Sequence, residues 1–134
     1  MPDEEGLTRA IIGAAIEVHR VLGPGLLESA YQKALGTELR WQRIRFESQV
    51  HIPAVYKGVA LDSGYRVDLI IENEVVVELK ATPCILAVHE AQLLTYLRLL
   101  ELRIGLLINF NVGALKDGVE LNRFAAGEAE VISR

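Results

Sequence analysis

The chain has 134 residues, of which 51% are hydrophobic and 24% charged, and its 14 Lys and Arg against 18 Asp and Glu give a formal charge of −4. That length fits one domain, the apolar content excludes a disordered chain, and the acidic balance argues against a uniformly basic nucleic-acid binder. Cys84 is the one cysteine and can form no internal disulfide, and the start, MPDEEGLTRA, is acidic where a signal peptide is basic and then apolar. Both point to a reducing, cytoplasmic setting. The most apolar stretch, LLTYLRLLELRIGLLINF, is cut by Arg98, Glu101 and Arg103, short of the roughly 20 uninterrupted residues of a membrane span.

Residues 8–22 place Ile11, Ile12, Ala15, Ile16, Val18 and Leu22 at helical spacing, and Gly23 is a natural stop. Gly23-Pro24-Gly25 breaks the chain, and a second helix is expected over residues 26–43 with Leu27, Tyr31, Leu35 and Leu39 on one side. The two form a helical hairpin. Residues 46–52 alternate apolar and polar, as in a strand with one wet face, until Pro53 ends or bends it. Lys57-Gly58 reads as a turn.

The stretch YRVDLIIENEVVVELKA, residues 65–81, reads as two buried strands around the loop Glu72-Asn73-Glu74. Counting back from that loop, Ile71 faces Val75, Leu69 faces Val77 and Asp68 faces Glu78. Lys80, two residues on, shares the face of Glu78. Two carboxylates at one end of apolar strands are costly without a cation. Lys80 can neutralise one and a divalent metal both, and hard oxygen donors without His or Cys suit Mg²⁺ or Mn²⁺. The alternative is a surface hairpin with an Asp–Lys bridge and no function.

Residues 88–100 return to helical spacing, with Leu93, Leu97 and Leu100 in one apolar line. Gln92 and Tyr96, at i and i+4, lie on another face with His89, either as functional groups or as a solvated surface. Residues 105–110 read as a buried strand, Lys116-Asp117-Gly118 as a turn and residues 119–124 as a last edge strand. Residues 1–7 and 125–134 read as loosely held termini. Two helices, about three strands, one helix and one or two strands make a mixed α/β layer architecture.

GYRVDLIIENEVVVELKA resembles the catalytic hairpin of the PD-(D/E)XK nuclease superfamily. GPGLLESAY carries Gly25, Glu28 and Tyr31 in the pattern that names the GxxExxY protein family, and VHEAQLLTYL and GLLINF resemble later blocks of that family. Val67 stands where the superfamily has Pro before its Asp. The resemblance implies a restriction-endonuclease-like α/β core with a mixed sheet of four to five strands. It implies that Asp68, Glu78, the Leu79 carbonyl and Glu28 hold a metal, and that Lys80 orients or activates the attacking water. Gln92 and Tyr96 match the QxxxY element of RecB-like members and would orient Lys80 or contact substrate.

The function expected is metal-dependent hydrolysis of phosphodiester bonds in DNA. Lys33, Arg40, Arg43 and Arg98 are candidate phosphate contacts, and Tyr31, Tyr96 and His89 are candidate substrate contacts. The alternatives are a non-catalytic subunit of a nucleic-acid-processing complex, which the acidic total favours, and a hydrolase of smaller phosphate esters. A chain this small covers little of a duplex alone, which leaves room for a homodimer.

Overall fold

The computed structural model describes residues 3–125 and 128–133. The chain runs α1 (Glu4–Leu22), α2 (Glu28–Trp41), β1 (Phe46–Tyr56), β2 (Val59–Ile71), β3 (Val75–Lys80), α3 (Ala87–Leu100), β4 (Ile104–Asn109), β5 (Val119–Ala125) and β6 (Glu128–Ser133), with a short 3₁₀ turn at Leu115–Gly118 before β5. The strands form one sheet in sequence order. Neighbours are antiparallel except β3 and β4, which are parallel because α3 carries the chain across between them. This is a mixed sheet flanked by helices, the restriction-endonuclease-like layering, with six strands where four to five were expected. The difference lies in β6. Residues 128–133 pair with β5 instead of forming a loose tail, so β5 is an interior strand and not the edge. Residues 126, 127 and 134 of that expected tail, like residues 1 and 2 at the other end, lie outside the described residues.

Each face of the sheet has its own core. On one, α1 and α2 bring Ile11, Ala15, Leu35 and Leu39 onto Leu69, Ile71, Val77, Leu79 and Ile108. On the other, Leu93, Tyr96 and Leu97 of α3 pack on Val67, Ile70, Val76 and Leu107. β3 and β4 are covered on both faces, which is why their runs carry polar side chains at only three positions, Glu78, Lys80 and Asn109. Among the described residues no helix is long and apolar enough to cross a membrane.

Local signals set the ends of these elements. Asp3 caps α1 by accepting the Gly6 N–H at 2.7 Å, so the helix starts at Glu4, four residues before the apolar periodicity does. Gly23 and Gly25 close the helical hairpin with φ of 68° and 97°, and the second angle lies where only glycine goes without strain. Pro53 does not end β1. The strand passes through it with a register shift between Pro53 and Val55, tolerated because β1 is the sheet edge.

Candidate active site

The hairpin forms in the expected register. Glu72 and Asn73 take φ of 53° and 55°, the Glu74 N–H bonds the Ile71 carbonyl at 3.0 Å, and Ile71, Ile70 and Leu69 pair with Val75, Val76 and Val77. The ladder stops there. Asp68 and Glu78 are the first residues past it, at a fork where β2 stays with β1 while β3 stays with β4. Side chains take over the missing backbone bonds. Glu78 Oε1 accepts the Asp68 N–H at 2.9 Å, and Asp68 Oδ2 accepts the Leu79 N–H at 2.8 Å. Each carboxylate is thus aimed by the opposite strand through one anchored oxygen.

The cause of the fork is visible in the alternation of β1 and β2. Leu69 and Ile71 point into the α1–α2 core, yet Val67 belongs to the α3 core. Across the pair, Phe46 packs on the first core and Val50 and Ile52 on the second. The pairing runs to Ser48↔Leu69 and resumes at Val50↔Val67. Between them Gln49 has φ of 52°, a left-handed angle inside a strand. Both strands turn over at Gln49 and Asp68, which turns the Asp68 carboxylate out of either core. The Gln49 amide is held by Gln32 Oε1 of α2 at 2.6 Å and lies 3.3 Å from Asp68 Oδ1.

Burial decides the electrostatics. Glu78 is only 4% exposed, and its carboxyl is pushed up to about 8. Desolvation is the main cause and the Asp68 carboxylate the next. The Asp68 N–H and the Lys80 ammonium oppose the shift, and Glu28 adds to it. Lys80 and Glu28 therefore stand within electrostatic reach of Glu78. Tyr96 closes the α3 side. It is 2% exposed, and its phenol is pushed up to about 12 by burial and then by Glu78 and Asp68. Tyr65 meets its ring edge-on at 5.8 Å.

The remaining expected residues separate into three groups. Glu28 opens α2 and is exposed at the cleft, but among the described residues no three His, Cys, Asp or Glu side chains gather as a metal cage. The carboxylates that the structure interlocks are Asp68 and Glu78. Tyr31 is fully buried and stacked on Phe110 at 4.4 Å. Its hydroxyl donates to the Gly23 carbonyl at 2.6 Å and accepts the Leu26 N–H at 3.1 Å. Its work is to pin the Gly23–Leu26 turn that delivers Glu28, in place of the substrate contact expected. His89 accepts the Leu86 N–H at 3.0 Å through Nδ1 and so caps α3. Tyr96 is not on a solvated face, since it packs with Leu93 and Leu97, whereas Gln92 one turn earlier is exposed.

Lys33 and Arg98 are exposed on α2 and α3 and do not figure among the charges acting on Glu78. Arg40 and Arg43 line a groove at the other end of the hairpin. Sequence reasoning missed Gln49 and Gln32, although Gln32 lies four residues after Glu28 on the same helix face, a spacing that could have found it. It also missed Asn109, beside Lys80 on β4. Asn109 Oδ1 accepts the N–H of Thr82 and of Asn111, and its amide donates to the Thr82 carbonyl, which ties down the chain leaving Lys80.

An acidic pair and a lysine at a strand fork, in a mixed sheet layered by helices, define a nuclease-type α/β protein. Residues 5–123 match the PD-(D/E)XK nuclease superfamily, and the chain belongs to it. No curated protein and no solved structure matches the chain. Members of this superfamily generally use divalent metal ions and act on nucleic acid.

Proposed function

We propose that this chain is a nuclease that hydrolyses phosphodiester bonds in DNA with Mg²⁺ or Mn²⁺ held at Asp68 and Glu78. The observation that carries the reading is the fork itself: two anchored carboxylates, one of them buried and held protonated near neutrality by desolvation and by the neighbouring Asp68. Such a pair is destabilising unless a positive charge is supplied. Two carboxylates plus water and substrate phosphate are the usual holding set of Mg²⁺. The Leu79 carbonyl leaves β3 on the same side as its N–H, which supports it as a further oxygen donor.

A divalent ion bound there would polarise a phosphoryl oxygen and lower the pKa of a bound water. The protein's own groups prepare the rest. Lys80 brings an ammonium to the edge of the fork, where it can donate to a phosphate oxygen and stabilise developing charge. Tyr96 keeps its proton under the field of both carboxylates, so it is a donor towards the cleft and excludes water from the α3 side. Glu28 enters from α2, where it can hold a water or join the donor set. The GxxExxY pattern of Gly25, Glu28 and Tyr31 supports placing the chain in that narrower family.

The test is cleavage of single-stranded, duplex and flapped DNA, and of RNA, in Mg²⁺, Mn²⁺ or EDTA, with Asp68→Asn and Lys80→Met alongside. Metal-dependent cutting of DNA lost in both variants supports the reading. A wild-type protein that binds nucleic acid or a protein partner and cuts nothing supports instead a non-catalytic subunit.

A further inference from the structure

A second feature lies away from the fork and is not explained by it. The end of α2, the connection to β1 and the tip of the β2–β3 hairpin line a groove of about 800 Å³ with the exposed Arg40, Arg43 and Arg45 at its rim and the half-buried Ile44 and Phe46 beneath. Ser48 and Ile70 form its near end. Ser48 precedes Gln49, which touches Asp68, and Ile70 lies two residues from Asp68, roughly 7 Å along β2. Ile71, the last residue of β2, is three residues from Asp68, roughly 10 Å along the strand, and Asn73 at the far end lies beyond it in the turn.

Three arginines within six residues are unexpected in a chain of net charge −4, and their partners show which are committed. Arg45 lies 3.7 Å from Glu72, whose carboxylate also accepts the Arg45 N–H. Arg40 lies over the Phe46 ring at 5.1 Å, a cation–π contact, and has no ion pair among the described residues. Arg43 has no ion pair among the described residues. Two planar guanidiniums with open donors suit phosphate oxygens. Among the described residues, Glu47 is the one opposing carboxylate on the rim without an ion pair.

The apolar floor selects the kind of nucleic acid. A duplex presents stacked bases and an outer wall of phosphates, so it needs the arginines and gains nothing from Ile44 and Phe46. An unpaired strand presents bases and phosphates together, and grooves that bind it combine basic rims with apolar or aromatic surface. Resting on the nuclease reading above, we propose that this groove holds a single-stranded flank of the substrate, running from the fork towards the hairpin tip and anchored by Arg40 and Arg43. The substrate class of the site is then DNA with an unpaired segment beside the scissile bond.

The experiment measures binding without cleavage, in EDTA, by fluorescence anisotropy with a labelled oligothymidine and a blunt duplex of the same length. Arg40→Gln/Arg43→Gln is expected to lose tenfold or more in affinity for the single strand. It should also shed about 1.4 from the slope of log affinity against log salt, two contacts at about 0.7 each. Glu47→Gln is expected to bind more tightly. An unchanged melting temperature for these exposed positions separates lost contact from lost fold. Unchanged affinity and salt slope in the double variant would overturn the proposal, as would equal binding of blunt duplex with equal dependence on the two arginines. Arginine-dependent binding by a protein that cuts nothing would remove the nuclease reading and leave the groove. Cutting with unchanged KM in the double variant would remove the groove and leave the site.

Discussion

Glu78 offers a way to test the site through stability alone. In the metal-free protein its carboxyl titrates near 8 against an ordinary 4.5, so between those values the folded state keeps a proton that the unfolded state has released. Stability of the apo protein therefore falls as pH rises through that window, by about 1.4 kcal/mol per pH unit. Between pH 4.5 and 8 the loss is at most about 5 kcal/mol, comparable to the whole stability of a marginal domain. For a chain of this size that is a fall of on the order of 10–20 °C in Tm. Glu78→Gln keeps an oxygen for the Asp68 N–H and removes the charge, so it should abolish this slope and melt above wild type at pH 8. Thermal unfolding in EDTA from pH 4.5 to 8.5, both proteins in parallel, reads the difference directly. Mg²⁺ should restore wild type at pH 8 and leave the variant unmoved. If the two proteins lose stability in parallel as pH rises, the burial and charge coupling argued for Glu78 are wrong.

Neighbouring charges should move the same midpoint in opposite directions. Lys80→Met is expected to raise it and Glu28→Gln to lower it, both read from the pH dependence of Tm in EDTA. Tyr31→Phe should cost about 1–2 kcal/mol by stranding the Gly23 carbonyl and Leu26 N–H; a changed KM with an unchanged Tm would make the residue a substrate contact after all. Gly25→Ala should cost about 1–3 kcal/mol because of its φ of 97°, whereas Gly13→Ala, in mid-helix with open space around it, should stabilise by up to about 1 kcal/mol in denaturant titration. Asn109→Ala, which frees the N–H groups of Thr82 and Asn111 and leaves the Thr82 carbonyl to the Asn111 amide alone, should cost about 1–3 kcal/mol in the same titration.

Much of this protein is local and therefore legible from residue order. Helical spacing found all three helices, because an amphipathic helix must put apolar residues on one side whatever it packs against. The loop Glu72-Asn73-Glu74 fixed the register of β2 against β3, since a short hairpin loop leaves little freedom in what it joins. That register brought Asp68 and Glu78 together before any coordinates did. The two-residue period of a strand set Lys80 on the face of Glu78, and the superfamily likeness added Glu28. Sequence misjudged the termini and the edge of the sheet, because the apolar and polar residues of 128–133 acquire a strand's meaning only when β5 is beside them.

What residue order cannot contain is the fork. Whether β2 follows β3 past Leu69 depends on β1 and β4 pulling the two strands apart, and on Gln49 adopting a left-handed angle to allow the turnover. Only in that arrangement do the two carboxylates exchange ladder bonds for each other's backbone, and only under α3 is Glu78 buried enough to hold its proton. The same packing decided between the readings left open for the tyrosines. Both are buried, Tyr31 against Phe110 and Tyr96 against the acidic pair, because a tyrosine's role is set by what surrounds its hydroxyl. The sequence thus named the charged groups and their order along the chain. Their desolvation, and with it the demand for a cation, is a property of the packed layers around them.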